Sequence, residues 1–229
     1  MGWQGAAWPS RRGTLRGTWL ASFRRARVSW VMFDHGGVIS HPPTPQDLAL
    51  LGRAAGVTVP EFTGAYWQWR RAYDLAELDA SAYWRQVGRS LGRCYSDADI
   101  SELSRLDNAS WLRLQAGTVA LIEDLAAAGR PLALLSNAPG ELAEAISALP
   151  IAEHFRHLIF SCQLKFAKPD PECYARALDT LGASADGVIF IDDRAQNVAA
   201  AAALGLRAVH FTSPAGARAA LSRQLAERG

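Results

Sequence analysis

Three observations on this 229-residue sequence predict an α/β fold, a parallel sheet flanked by helices and carrying a helical insert. Short apolar runs with strand chemistry alternate with helical stretches from residue 28 onward. Several of the helical stretches open or close on residues that cap helices. One long segment, 41–112, breaks the alternation and offers no strand signal. Strands that alternate with helices pair in parallel, because a helix returns the chain to the same edge, and both faces are then covered. Right-handed crossovers fix most of the remaining topology.

The first strand is expected over 28–33, V-S-W-V-M-F. Others follow at 132–136 (L-A-L-L-S), 157–161 (H-L-I-F-S), 187–192 (G-V-I-F-I-D) and 206–211 (L-R-A-V-H-F). Between them, 118–128 repeats apolar residues at helical spacing and stops at Gly129. The stretch 170–181 opens with Asp170 and Pro171, an N-cap followed by a proline at the first helical position. The stretch 194–204 is nearly all alanine, can lie close on a sheet and stops at Gly205. The insert divides into helices near 45–55, 60–75, 81–91 and 97–106. Phe62, Tyr66, Trp69 and Tyr73 fall on one helical face there. The stripe is expected to form the insert's own core, the alternative being an apolar wall over a substrate.

Composition narrows the function. A formal net charge of +2 gives no field for nucleic acid or a membrane surface. Residues 1–27 carry six arginines and no acid, which leaves 18 basic against 22 acidic residues in the remainder. That leader has no apolar stretch long enough for a signal peptide or a membrane span and is expected to be a poorly ordered extension. Cys94, Cys162 and Cys173 stand far apart, an odd number without zinc or disulfide spacing. They read as reduced thiols in a cytoplasmic protein.

In a parallel sheet, ligands bind beyond the carboxyl ends of the strands. The first strand ends at Asp34, another at Ser136 and Asn137, and a later one at Asp192 and Asp193. Lys168 precedes Pro169 on the approach to a helix. Each is ordinary alone, since aspartate and serine at such places often only cap or turn the chain. On one rim they describe a site. Clustered carboxylates repel one another and call for a cation, and all-oxygen ligands suit magnesium. A hydroxyl and a lysine facing that cation suit a phosphate group.

The motifs F-D-H-G-G-V at 33–38, L-L-S-N at 134–137, K-P-D-P at 168–171 and F-I-D-D-R-A-Q-N at 190–197 resemble those of the haloacid dehalogenase superfamily of phosphohydrolases. The resemblance implies a Rossmann-like core over 28–40 and 113–229 and a helical cap over 41–112. It implies Asp34 as a nucleophile that becomes an aspartyl phosphate. It implies magnesium on the Asp34 side chain, the Gly36 carbonyl and Asp193, with Asp192 close by or acting through water. Ser136 would bind a phosphoryl oxygen with help from Asn137, and Lys168 would offset negative charge on nucleophile and phosphate. The substrate would be a small phosphorylated metabolite. Two other readings compete: a metal-free haloacid dehalogenase using the same aspartate, and a non-catalytic metabolite sensor.

One position departs from that pattern. Many such phosphatases have an aspartate two residues after the nucleophile as general acid and base, and here Gly36 stands there. His35, His41, Arg70, Arg71 and Tyr73 are the nearby candidates to replace it, each with a plain packing role as the alternative. General acid help is worth about 10²–10⁴ in rate and matters most for poor leaving groups. Any phosphatase activity is therefore expected to favour acyl, aryl or anomeric sugar phosphates. Rates across a series of aryl phosphates should rise steeply with leaving-group acidity. A flat dependence with chemistry rate-limiting would refute this.

Overall fold

The computed structural model describes residues 30–226; the basic leader and the first two residues of the expected first strand lie outside them. Strand β1 (Trp30–Phe33) is followed by helices α1 (Pro45–Ala55), α2 (Val59–Asp74), α3 (Ala80–Ser90), α4 (Asp97–Ser110) and α5 (Ala116–Ala127). Then come β2 (Leu132–Ser136), α6 (Gly140–Ser147), β3 (His157–Phe160), α7 (Ser161–Leu164) and α8 (Pro171–Leu181). The chain finishes with β4 (Val188–Asp192), α9 (Ala195–Ala203), β5 (Arg207–His210) and α10 (Pro214–Ala226). The five strands form one parallel sheet in the order β3-β2-β1-β4-β5. The expected α/β class is therefore the observed one.

Alternation along the strands divides the core into two layers. Val31, Phe33, Leu134, Ile189 and Ile191 face one way, onto apolar residues of α5, α6 and α10. Met32, Leu135, Val188 and Phe190 face the other, onto Cys173, Tyr174 and Ala177 of α8 and Ala201 of α9. The alanine run of α9 lets it lie close to the sheet, as its composition implies. Asp170 caps α8 by accepting from the Glu172 amide, and Gly182 ends that helix in the left-handed region. Helices α6, α7 and α10 are additions to the sequence reading, and Ser161 begins α7 instead of closing β3.

Helices α1–α4 have their own apolar cluster, centred on Phe62, Tyr66, Tyr83, Trp84 and Leu103. Three members of the aromatic stripe on α2, Phe62, Tyr66 and Tyr73, are buried in or beside it, so its role as local core holds. Trp69 is only partly buried and donates its indole N–H to Ser90. Phe62 stacks on Trp84 at 6.4 Å and Tyr73 on Tyr83 at 4.3 Å. The start of α1 is fixed by a capping box between Thr44 and Asp47, and Asp47 also accepts from Arg113 at 2.8 Å.

The two connections between sheet and helices run side by side. Ser40 pairs with Leu114 in an antiparallel bridge, the His41 amide donates to the Arg113 carbonyl and the Gln115 amide to that of Ile39, both at 2.8 Å. At the other end of α2, Tyr73 donates to Glu141 at 3.0 Å and the Ser161 hydroxyl donates to the Asp74 carbonyl at 2.6 Å.

Trp84 is fully buried and fixes the centre of the α1–α4 cluster. Trp84→Ala should lower stability by about 3–5 kcal/mol through lost contact and the cavity left behind. Urea denaturation followed by circular dichroism would read the loss.

Candidate active site

The site lies at the carboxyl end of β1, where the chain order reverses from β2 and β3 on one side to β4 and β5 on the other. Neighbouring strands diverge in their connections there, so a crevice forms. Asp34 follows β1, Ser136 closes β2 and Asp192 closes β4. Ladder pairing of Phe33 with both Leu134 and Ile191 brings these three ends together. The Asp34 amide donates to the Ile191 carbonyl at 2.9 Å, which extends the ladder into the site.

Lys168 is the centre of the arrangement. Its ammonium lies 2.8 Å from Asp34 Oδ1 and 2.7 Å from Asp192 Oδ2, with Phe190 beneath it at 5.3 Å. The lysine is 3 % exposed and Asp192 not at all, so both charges depend on each other. Asn137 fixes the lysine backbone from both sides: its amide nitrogen donates to the Lys168 carbonyl and its oxygen accepts the Lys168 amide, each at 2.9 Å. The Asn137 side chain is thus mainly committed to placing Lys168. Asp192 is held further by the Arg194 amide at 2.8 Å and by Asn197 at 3.0 Å.

Asp34, Asp192 and Asp193 each offer an oxygen within 4.8 Å of the others. Burial pushes the Asp34 carboxyl up to about 7, against the lowering field of Lys168, and Asp192 and Asp193 push the same way as burial. The Asp193 carboxyl is also raised, by burial and then by Asp192. Three carboxylates this close together would gain from a shared cation. Hard carboxylate oxygens of this kind fit magnesium.

The loop after Asp34 is shaped around this cluster. Gly37 has φ +77°, and a Cβ there would stand 2.2 Å from Asp193 Oδ2. Only glycine allows both the left-handed turn and the approach of Asp193. A Cβ at Gly36 would meet the Trp111 ring at 3.1 Å. The space a larger side chain would need at position 36 is therefore already taken by an indole.

His35 lines the same cavity as Asp34, but its ring is tied to Trp111. Its Nε2 lies 2.8 Å from the Trp111 carbonyl, and since a carbonyl only accepts, Nε2 carries the proton. Burial, with Lys168 adding to it, lowers the imidazole to about 4 despite the hydrogen bond to Trp111, so His35 is neutral near pH 7. It holds Trp111 in place, in keeping with its packing role. His41 and Arg71 are exposed. Arg70 is buried and bound to Asp74 at 2.7 Å and to Asp107 at 3.0 Å.

Asp34, Gly36, Ser136, Asn137, Lys168 and Asp193 all line one cavity of about 420 Å³, while Asp192 lies directly beneath it. The Ser136 hydroxyl makes no hydrogen bond to the described residues, so it is free for a ligand. The opposite wall includes Trp67, Arg70, Asp74, Trp111 and Leu142, which the sequence reading does not place there, Arg70 excepted. Trp67 leaves one signal in the sequence, an aromatic residue one position off the buried stripe of α2.

A family model described as a haloacid dehalogenase-like hydrolase matches residues 34–205. The chain belongs to the haloacid dehalogenase-like hydrolases. Among curated relatives, this haloacid dehalogenase-like chain is 30 % identical over 202 residues to phosphoglycolate phosphatase of Rhodospirillum rubrum, covering 78 % of this chain and 77 % of that protein. A shorter match, 41 % identical over 56 residues, is to bifunctional epoxide hydrolase 2 of Rattus norvegicus and spans 24 % of this chain and only 10 % of that protein. In fold it is similar to a HAD family enzyme of Bacteroides thetaiotaomicron solved with magnesium and inorganic phosphate, with TM-score 0.67, 17 % identity and coverage of 81 % of this chain and 94 % of that one.

Lys168→Met would leave two buried carboxylates facing each other without a cation. In the presence of a chelator it should destabilise the fold by about 3–5 kcal/mol. Thermal denaturation with and without magnesium would measure this, and added magnesium should recover part of the loss.

Proposed function

We propose that this chain is a magnesium-dependent phosphohydrolase acting on small phosphorylated metabolites through a covalent phosphoryl group on Asp34. The observation that carries the reading is the Lys168 ammonium set between Asp34 and Asp192, beside Asp193 and below a free Ser136 hydroxyl. The curated phosphoglycolate phosphatase relative and the fold neighbour solved with magnesium and phosphate support it.

In this reading, Asp34 Oδ1 is fixed by Lys168 at 2.8 Å and by the His35 amide at 2.6 Å. Oδ2 is then the attacking atom. It forms the new bond to phosphorus as the bond to the leaving oxygen breaks, and that oxygen takes its proton from solvent because Gly36 has none to give. Water then cleaves the acyl phosphate and restores the carboxylate. Lys168 and Ser136 hold the phosphoryl oxygens, with Asn137 keeping Lys168 in position. Asp34, Asp193 and the Gly36 carbonyl would hold magnesium, with Asp192 behind them. When bound, the ion would screen the repulsion between carboxylate and phosphate. Helices α1–α4 act as a cap over the cavity, with α2 contributing Trp67, Arg70 and Asp74. A dehalogenase would need no metal, and the Asp192–Asp193 pair beside Lys168 favours phosphate chemistry over it.

A panel of phosphorylated metabolites tested with purified protein should reveal magnesium-dependent phosphate release. Asp34→Asn should cut kcat by at least about a thousandfold. Chelation should abolish turnover, and magnesium should restore it. Undiminished turnover by Asp34→Asn would overturn the nucleophile assignment, and turnover indifferent to chelation would overturn the metal.

A further inference from the structure

The cavity is built asymmetrically. Its lining combines the phosphate-directed groups at the strand ends with Trp67, Arg70 and Asp74 of α2 and the apolar Trp111, Pro42 and Leu142. Trp67 is 52 % exposed, and of the exposed large apolar residues among those described, it alone lines this cavity. Its edge rests on the Tyr66 ring at 4.9 Å, which fixes where the indole sits. An indole left in water at the mouth of a polar site gains most from an apolar contact.

The charges around the cavity point the same way. Five carboxylates (Asp34, Asp74, Asp107, Asp192, Asp193) stand near three cations (Arg70, Lys168, Arg194). Arg70 lines the far wall, yet its guanidinium is already bound to both Asp74 and Asp107, and Tyr66 donates to Asp107 as well. A cation neutralised twice does not attract a third anion. Arg194 lines the cavity at its exposed rim and makes no ion pair with the described acids, so water screens its charge. By formal charge the surroundings carry −2, which a divalent ion offsets before any phosphate arrives. A further carboxylate on the substrate would add to this negative charge, with exposed, water-screened Arg194 as its one unpaired cationic partner among the described lining residues.

We propose that the site takes phosphate monoesters whose leaving group is an uncharged, mainly apolar body resting against Trp67 and Trp111, and that it discriminates against leaving groups bearing a carboxylate. The proposal deepens the phosphohydrolase reading and rests on it. It sets this chain apart from an enzyme selecting a glycolate-like leaving group.

Naphthyl, phenyl and para-carboxyphenyl phosphate provide the test, because all three release phenolic leaving groups of similar acidity. In the wild-type protein with magnesium, kcat/KM for naphthyl phosphate should exceed that for para-carboxyphenyl phosphate by about tenfold or more. Trp67→Ala changes an exposed residue and should narrow that ratio to about threefold or less. Equal turnover of the two esters by wild-type protein, or an unchanged ratio in Trp67→Ala, overturns the proposal while leaving the phosphohydrolase reading intact. If none of the esters is cleaved, the metabolite panel decides the phosphohydrolase reading separately. Binding of naphthylmethylphosphonate against para-carboxybenzylphosphonate, measured by calorimetry with magnesium, then decides the proposal without turnover: preference for the naphthyl compound supports it, and equal or reversed affinity refutes it.

Discussion

A single ammonium group between two carboxylates organises the carboxyl edge of this sheet. Asp34 and Asp192 leave adjacent strands and point into the same crevice, and Lys168 spans them at 2.8 and 2.7 Å. Without a cation there, the two acids would repel one another in a poorly hydrated space. The lysine in turn owes its position to Asn137, on the far side of β1 in the sheet order. Three strand ends are thus joined by one ionic contact and one amide clamp. The apolar layers above and below hold the backbone that makes those short distances attainable.

Around that contact, the loop at Gly36 and Gly37 serves geometry instead of proton transfer. Gly37 yields space to Asp193, and Gly36 yields space to Trp111. The indole is itself fixed by His35 through its carbonyl. An acid at position 36 would have to displace an aromatic wall that borders the cavity. The absence of a proton donor and the apolar far wall are therefore two aspects of one packing solution. On the proposed phosphohydrolase reading, both favour esters whose leaving group needs little protonation.

Much of this was legible in the sequence, for reasons that differ by element. Helices α1 and α8 have cap signals in the chain itself, Pro45 after Thr44 and Pro171 after Asp170, and the bounds of α1 fall where those signals put them. Strand ends are less legible, since Ser161 carries strand-like neighbours yet enters α7 through a tertiary contact with Ala138 and Asp74. Helix α6 follows the turn-forming A-P-G triplet, so its Leu142 and Ile146 are masked by a loop signal. Polar motif residues at strand ends converge because topology alone brings them together. Trp67 and Trp111 belong to the cavity only because α2 and the end of α4 meet above it, and helical periodicity does not specify which aromatic turns outward.

The paired connections at Ser40 and Leu114 bear on how a substrate gets in. Two separate flexible tethers would let the four-helix unit drift in any direction. Two connections paired through His41, Arg113 and Gln115 would instead act as a door-leaf joint, stiff along its length and soft only to twist. A swing about that joint would have to break the contacts at the distant end of α2, where Tyr73 meets Glu141 and Asp74 meets Ser161. Trp67, exposed on α2 and lining the same cavity as Asp34, would move with that end.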